Sequence, residues 1–313
     1  MLPDGVHEAL IREFAPRFTY IEYDTRGCGL SQRRVDDISF ESWVGDLEAV
    51  ADAQGRAPFT LLAFTCAAGV AVEYAARHPE RVRNLVLFGG FATSYHSTSH
   101  PDPAVRREGD LLLELAELGW GNASPAFRQV FVSRFLPDAT QEQWKAFDEL
   151  QRATATPDVA VRQLRAMYGI NVKEAAARVR CPTLVLHPKG DEMVRFQQGR
   201  RLASLIPGAR FVPLEGRNHI PFPQEPAWVG FVRETRNFLG TSVVPEQPVQ
   251  LTSRQHEVLR RIAFGESDKQ IALALRLSPR TVEMHAARAL AALGCRTRAE
   301  AVRRASERQL LGS

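Results

Sequence analysis

The sequence predicts two folds in succession: an α/β body built on a largely parallel sheet with a helical lid, then a small all-α unit of four helices. Three observations predict this. Apolar runs rich in β-branched and aromatic residues alternate with helix-forming segments between residues 18 and 239, a rhythm that builds parallel sheets covered on both faces. Four capped helix starts then follow one another after residue 250. Between the two regions GTSVVPEQPVQ, residues 240–250, breaks helical periodicity with a glycine and two prolines, as a linker does. The body therefore spans 1–239 and the tail 251–313.

In the body, FTYIEYDTRGCGLS (18–31) reads as a strand ending at Asp24 and a glycine-broken loop. FTLLAFT (59–65) is a second, buried strand that turns directly into the helix AAGVAVEYAARHPE. RVRNLVLFGG, CPTLVLHPKGD and ARFVPLEGRNH are the third, fourth and fifth strands, each an apolar run closed by turn residues. Residues 92–178 interrupt that rhythm with a mostly helical insert, expected to lie as a lid over the strand ends.

The tail carries its punctuation in plain view. Thr252 stands three before Gln255, Ser267 three before Gln270 and Thr297 three before Glu300, all capping-box spacings, while Ser278 precedes Pro279 at a first helical position. Helices are expected over 253–264, 268–275, 279–293 and 298–308. The second and third are joined by a few residues around Leu277, a helix-turn-helix connection. On the third, Val282, Ala286, Ala289, Leu290 and Leu293 form one apolar stripe, and Arg280, Glu283, Met284, Ala287 and Arg288 form another face free to enter a major groove.

Charge divides along the same boundary. The chain of 313 residues carries +4 overall, but from residue 250 onward twelve Lys or Arg face six acids, a balance of +6 that leaves −2 on the body. A basic tail on a slightly acidic body is the electrostatic footprint of a nucleic-acid-binding module. No run approaches the ~18 apolar residues of a membrane span, and MLPDGVHEAL lacks the features of a signal peptide. A cytoplasmic location without membrane contact is expected. Cys28, Cys66, Cys181 and Cys295 are far apart with no CxxC pairing, so they read as reduced thiols rather than a zinc or disulfide framework. His96 and His100 have helical ligand spacing, but SYHSTSHPDP is a loop without a third ligand. No metal and no cofactor are expected.

Over about sixty residues the tail resembles the helix-turn-helix domain of the LuxR family of bacterial transcription regulators, through LTSRQHEVLRRIAFG, SDKQIALALRLSPRTVEMH and LGCRTRAEAV. The resemblance implies that 279–293 is the recognition helix, with Glu283, Met284 and Ala287 facing bases. Lys269, Ser278, Arg280, Thr281 and Arg288 complete the interface, mostly on phosphates. A glutamate accepts from cytosine N4, so Glu283 is the expected base reader. Ala292 and Gln255 depart from the family's usual lysine and glutamate. Partners implied are double-stranded DNA and a second copy, joined through the final helix.

The body resembles an α/β-hydrolase over roughly residues 5–239, through YDTRGCGLS, LLAFTCAAGVAVEYAARHPERV, LVLHPKGDEMV and ARFVPLEGRNHIPF. Position by position, Thr65 stands where the family carries its serine nucleophile, Asp191 where it carries the orienting acid, His219 where it carries the general base, and Cys66 supplies an oxyanion N–H. Ala63 and Ala67 replace the glycines that usually flank the nucleophile, and a β-branched residue is the poorest choice for positive φ. The turn is therefore expected to have relaxed, leaving a degenerate, inactive triad. Cys66 as nucleophile would need a one-residue shift. HEALIREFAPRF resembles the helix that follows the oxyanion strand, so the resemblance implies a sheet without its first three strands, including a central one. The expected function is a DNA-binding regulator with a non-catalytic body that senses a small molecule or mediates assembly. The alternative is an esterase with Thr65 as a poor nucleophile. Trp120, Trp144, Met167, Tyr168 and Phe222 are candidates to line a ligand pocket under the lid, or plain core.

Overall fold

The computed structural model describes residues 3, 5–55, 57–97, 102–122, 124, 126–240, 251–293, 295 and 297–307, with backbone alone at 303, 304, 306 and 307. The chain divides into two compact units, Met1–Ser242 and Val243–Ser313. Each is described by itself.

The first unit runs α1 (Val6–Phe14), α2 (Phe40–Ala53), β1 (Phe59–Phe64), α3 (Ala67–Arg77) and β2 (Val82–Phe88). The insert follows as α4 (Pro103–Gly119), α5 (Ala126–Phe135), α6 (Gln141–Thr154), α7 (Pro157–Tyr168) and α8 (Lys173–Arg178). The chain then returns through β3 (Thr183–Pro188), α9 (Phe196–Leu205), β4 (Arg210–Leu214) and α10 (Pro226–Phe238). The four strands make one parallel sheet in the order β1-β2-β3-β4. Side chains alternate across it, as a period of two requires. Leu85, Leu87 and Val185 enter one core with Trp43, Val70 and Tyr74, while Val86, Phe88, Leu184 and Leu186 enter the other with Leu10, Trp228 and Phe231. Both faces are covered, which is why the central strand segments Leu85–Phe88 and Thr183–Leu186 are buried without alternation.

One expected strand is missing. Residues 18–24 form no strand, and β1 stands at the edge of the sheet. An extended segment becomes a strand only when a neighbour's backbone meets its N–H and C=O groups; among the described residues nothing pairs with 18–24 or with β1's outer edge. Phe18, Ile21 and Tyr23 accordingly remain 37%, 48% and 39% exposed. The insert is tied at its base by an antiparallel bridge between Thr93 and Asn171. Inside it, the buried Arg128 donates to Asp148 and to the carbonyls of Trp120 and Asn122, joining the start of α5 to α6.

The second unit is α11 (Ser253–Ala263), α12 (Asp268–Leu275), α13 (Pro279–Leu293) and α14 (Arg298–Glu307). Its start signals act as caps. Thr252 Oγ1 accepts from Gln255 N at 3.3 Å and Gln255 Oε1 accepts from Thr252 N at 2.8 Å; Thr281 N donates to Ser278 Oγ and Glu300 N to Thr297 Oγ1. Val258, Ile271, Ala272, Val282 and Ala286 close one core, and Leu259, Leu293, Ala301 and Ala305 a second. Of the linker expected over 240–250, only Gly240 lies within the described residues.

Candidate functional site

Between the end of β1 and the start of α3 the backbone reverses over Thr65 and Cys66. The expectation of a relaxed turn fails: Thr65 sits at φ +53°, and only Arg276 shares a positive φ among the described non-glycine residues. Such a conformation in a β-branched residue costs on the order of 1–3 kcal/mol and persists when its surroundings over-determine it. They do. Thr65 N donates to Phe88 O at 2.9 Å, extending the β1–β2 ladder, and Thr65 O accepts from Ala68 N at 3.1 Å in the first turn of α3. The close approach that flanking glycines would permit is supplied from the neighbouring strand. A Cβ on Gly90 would lie 2.6 Å from Ala68 Cβ, so that glycine lets α3 sit against the end of β2. Cys66 begins α3 as its N-cap residue, and its N–H meets no acceptor among the described residues. Thr65 Oγ1 lies 3.5 Å from Cys66 Sγ.

Asp191 and His219 come from the loops after β3 and β4. His219 Nδ1 lies 2.6 Å from Asp191 Oδ2, and both side chains are fully buried. Asp191 Oδ1 accepts from Met193 N and Val194 N, each at 2.9 Å, which fixes the carboxylate. Burial by itself would raise its pKa; the His219 charge and the hydrogen bonds from His187 and His219 outweigh it and bring Asp191 down to about 2. The other ring nitrogen of His219, Nε2, has no hydrogen-bond partner among the described residues. His219 N donates to Phe135 O at 2.7 Å, and the Phe135 ring meets the imidazole edge-on at 5.3 Å. No hydrogen bond links Thr65 to His219, though both rest on the end of β2, the first through Phe88 O and the second against Gly89.

Sequence reasoning missed His187. It is fully buried, with Nε2 2.8 Å from Val194 O and 3.2 Å from Asp191 Oδ2, so one carboxylate oxygen serves two imidazoles. Its position four residues before Asp191, in LVLHPKGD, was the available signal.

The aromatic candidates divide. Trp120, Met167 and Tyr168 pack among the insert helices, and Trp144 donates Nε1 to Leu136 O at 2.7 Å. Phe222 lines a surface cavity of about 440 Å³ with Asp138, Thr140, Gln143 and Glu225, a cavity that none of Thr65, Asp191 or His219 borders. His96 lies in a loop 3.1 Å from Asp110 on α4; His100 lies outside the described residues. The four cysteines are unbridged.

In the second unit the two faces of α13 separate as expected. Val282, Ala286, Ala289 and Leu293 are buried, Leu290 is half-buried, and Arg280, Glu283, Met284, Ala287 and Arg288 are exposed. Lys269 and Ser278 are also exposed and Thr281 is half-buried. Arg298 donates to both oxygens of Asp268, at 2.6 and 2.9 Å, tying the start of α14 to the start of α12.

A family model described as alpha/beta hydrolase fold matches residues 3–226, and one described as bacterial regulatory proteins, luxR family, matches 249–305. Among curated proteins the chain is 26% identical over 234 residues to a pyrrolizixenacetamide deacetylase of Xenorhabdus hominickii, covering 73% of this chain and 83% of that one. It is 29% identical over 208 residues to a 2-hydroxymuconate semialdehyde hydrolase of Pseudomonas putida, covering 60% of this chain and 65% of that one. Among solved structures, an esterase from Exiguobacterium antarcticum superposes with a TM-score of 0.67 at 20% identity, over 76% of this chain and 88% of that one. That likeness shows the fold.

Proposed function

Because the chain belongs to the alpha/beta hydrolase fold family and ends in a LuxR-family regulatory domain, we propose that it is a sequence-specific transcription regulator whose hydrolase-like body is a sensor or assembly domain without turnover. The observation that carries this is the exposed face of α13, where Arg280, Glu283, Met284, Ala287 and Arg288 stand free while the opposite stripe is buried. Arginines on the edges of that face suit phosphates and Glu283 at its centre suits a base. Two copies, joined through α14, read a two-fold symmetric site. No described helix is long and apolar enough to cross a membrane, and the working place of a regulator of this kind is the cytoplasm. Selection of duplexes from a random pool tests the reading: recovery of no preferred sequence sinks it. A second reading, an esterase using Thr65, is favoured by the positive φ at Thr65 and the buried Asp191–His219 pair. Sustained hydrolysis of a short-chain ester that His219→Ala abolishes would establish it instead.

A further inference from the structure

Resting on the assembly part of the reading above, we propose that α4 is the surface through which two copies of the first unit pair, antiparallel, about a two-fold axis at Leu111. A helix packed on one side needs one apolar face, and α4 has two. Leu112 and Ala116 are buried with Phe131 of α5 and Tyr168 of α7. On the far side Leu111 and Leu118 are 52% and 74% exposed. Ala104, Arg107, Leu111, Glu114 and Leu118 follow one another at steps of three, four, three and four residues, the spacing of a helix–helix seam. All of them are exposed.

Charge selects the occupant. Arg107 and Glu114 have no hydrogen-bond or ion-pair partner among the described residues. They stand two turns apart on one helix, about 10 Å at 1.5 Å per residue, too far to meet each other. The charges flanking the seam are already engaged: Arg106 donates to Ser97 O at 3.1 Å, Asp110 lies 3.1 Å from His96, and Glu117 pairs with Arg165. The free charges along the seam are therefore one of each sign. Their order also runs against the helix dipole, which favours acids near the N-terminus and bases near the C-terminus; α4 has no acid in its first turn and no base in its last. Such an order is complementary to itself once reversed. With a second α4 running antiparallel and Leu111 beside Leu111 on the axis, Arg107 faces Glu114 of the second copy and the small Ala104 faces its Leu118. Each contact occurs twice, as a two-fold interface requires.

From Ala104 to Leu118 the seam runs about 21 Å. A single helix pair is smaller than the ~800 Å² per partner of a standard interface, so the joint is expected to be reversible.

The test uses the full chain with Leu111→Cys, oxidised with copper–phenanthroline and followed on a non-reducing gel; the parent chain, with its unbridged cysteines, sets the background. Lys145→Cys, on an exposed α6 residue off the seam, is the control. Leu111→Cys should form a cross-linked dimer at least ~10-fold faster than Lys145→Cys, and adding Leu118→Asp, which acts twice in a two-fold dimer, should slow it at least ~10-fold. Arg107→Glu and Glu114→Arg, each added to Leu111→Cys, should slow the cross-link, whereas both together in one chain, or the two variants mixed, should restore it. Cross-linking of Leu111→Cys no faster than of Lys145→Cys, single charge variants that match their parent, or a double variant and a mixture that both fail to recover each overturns the proposal. Selection of duplexes by the same proteins runs in parallel. Loss of the cross-link with a preferred duplex still selected overturns the α4 joint alone, whereas a cross-link with no duplex selected overturns the regulator reading and leaves the joint standing.

Discussion

Gly89 and His219 meet at a separation that only a glycine allows: a Cβ on Gly89 would stand 2.8 Å from His219 Cε1 and 3.3 Å from Nδ1. Gly89 is also at φ +60°, where an L side chain is strained. Gly89→Ala combines the two penalties and should lower the stability of the first unit by about 2–4 kcal/mol. Urea unfolding measures it; a loss under ~0.5 kcal/mol, the level of an ordinary surface change, would show that the ring does not sit against this strand end.

Thr65 is the converse case. Replacing it with glycine releases the positive-φ strain of a β-branched residue and should stabilise the first unit by about 1 kcal/mol, net of the greater freedom of glycine in the unfolded chain. A destabilisation of the same size would mean that the turn does not hold φ +53° in solution.

The Asp191 carboxylate makes a pH prediction. Its pKa falls from an ordinary 3.8 to about 2 in the folded protein, so the unfolded chain binds the proton more readily. The stabilisation is fully present above about pH 4 and is lost as pH falls through about 2, a change on the order of 2 kcal/mol. Asp191→Asn is less stable at neutral pH but should lack this component, and chemical denaturation of both proteins between pH 5 and 2 compares the slopes. Parallel slopes would refute the assignment.

In the second unit, Ile271 is fully buried among Val258, Ala272, Val282 and Ala286. Ile271→Ala should cost about 2–5 kcal/mol there and abolish DNA binding by unfolding. Arg298→Ala removes an ion pair whose side chains are 41% and 30% exposed and should cost under ~1 kcal/mol. A reversal of that order, seen by calorimetry, would place the tail's stability in its charges rather than its core.

Glu283 and Arg288 separate reading from holding. Glu283→Ala should relax preference at one base pair, worth about 1–3 kcal/mol of discrimination. Arg288→Ala should weaken all duplexes alike and reduce the slope of log K against log salt by about 1. Unchanged preference in Glu283→Ala would end its role as base reader.

The sequence by itself determined nearly all of the second unit and the order of the first. Each helix of the tail lies within one residue of its expected bounds, because caps such as Thr252–Gln255 and Thr297–Glu300 act within a single turn. The faces of α13 follow from a 3.6-residue period that needs no knowledge of the partner helices. The four strands that did form were legible for a related reason, since each centres on a short apolar stretch, such as LLAF or LVLF, closed by turn residues. Only the tertiary structure decided the rest. Residues 18–24 look like a strand, yet a strand is a property of two neighbours, and β1 stands at the edge. Thr65 looks like a residue that would relax, but the bond from Thr65 N to Phe88 O and the room Gly90 gives Ala68 hold it in place. His187 shares Asp191 with His219 because loops from two strands meet there. Local propensity is written within a few residues of itself, whereas strain, pairing and shared hydrogen bonds depend on segments that only folding brings together.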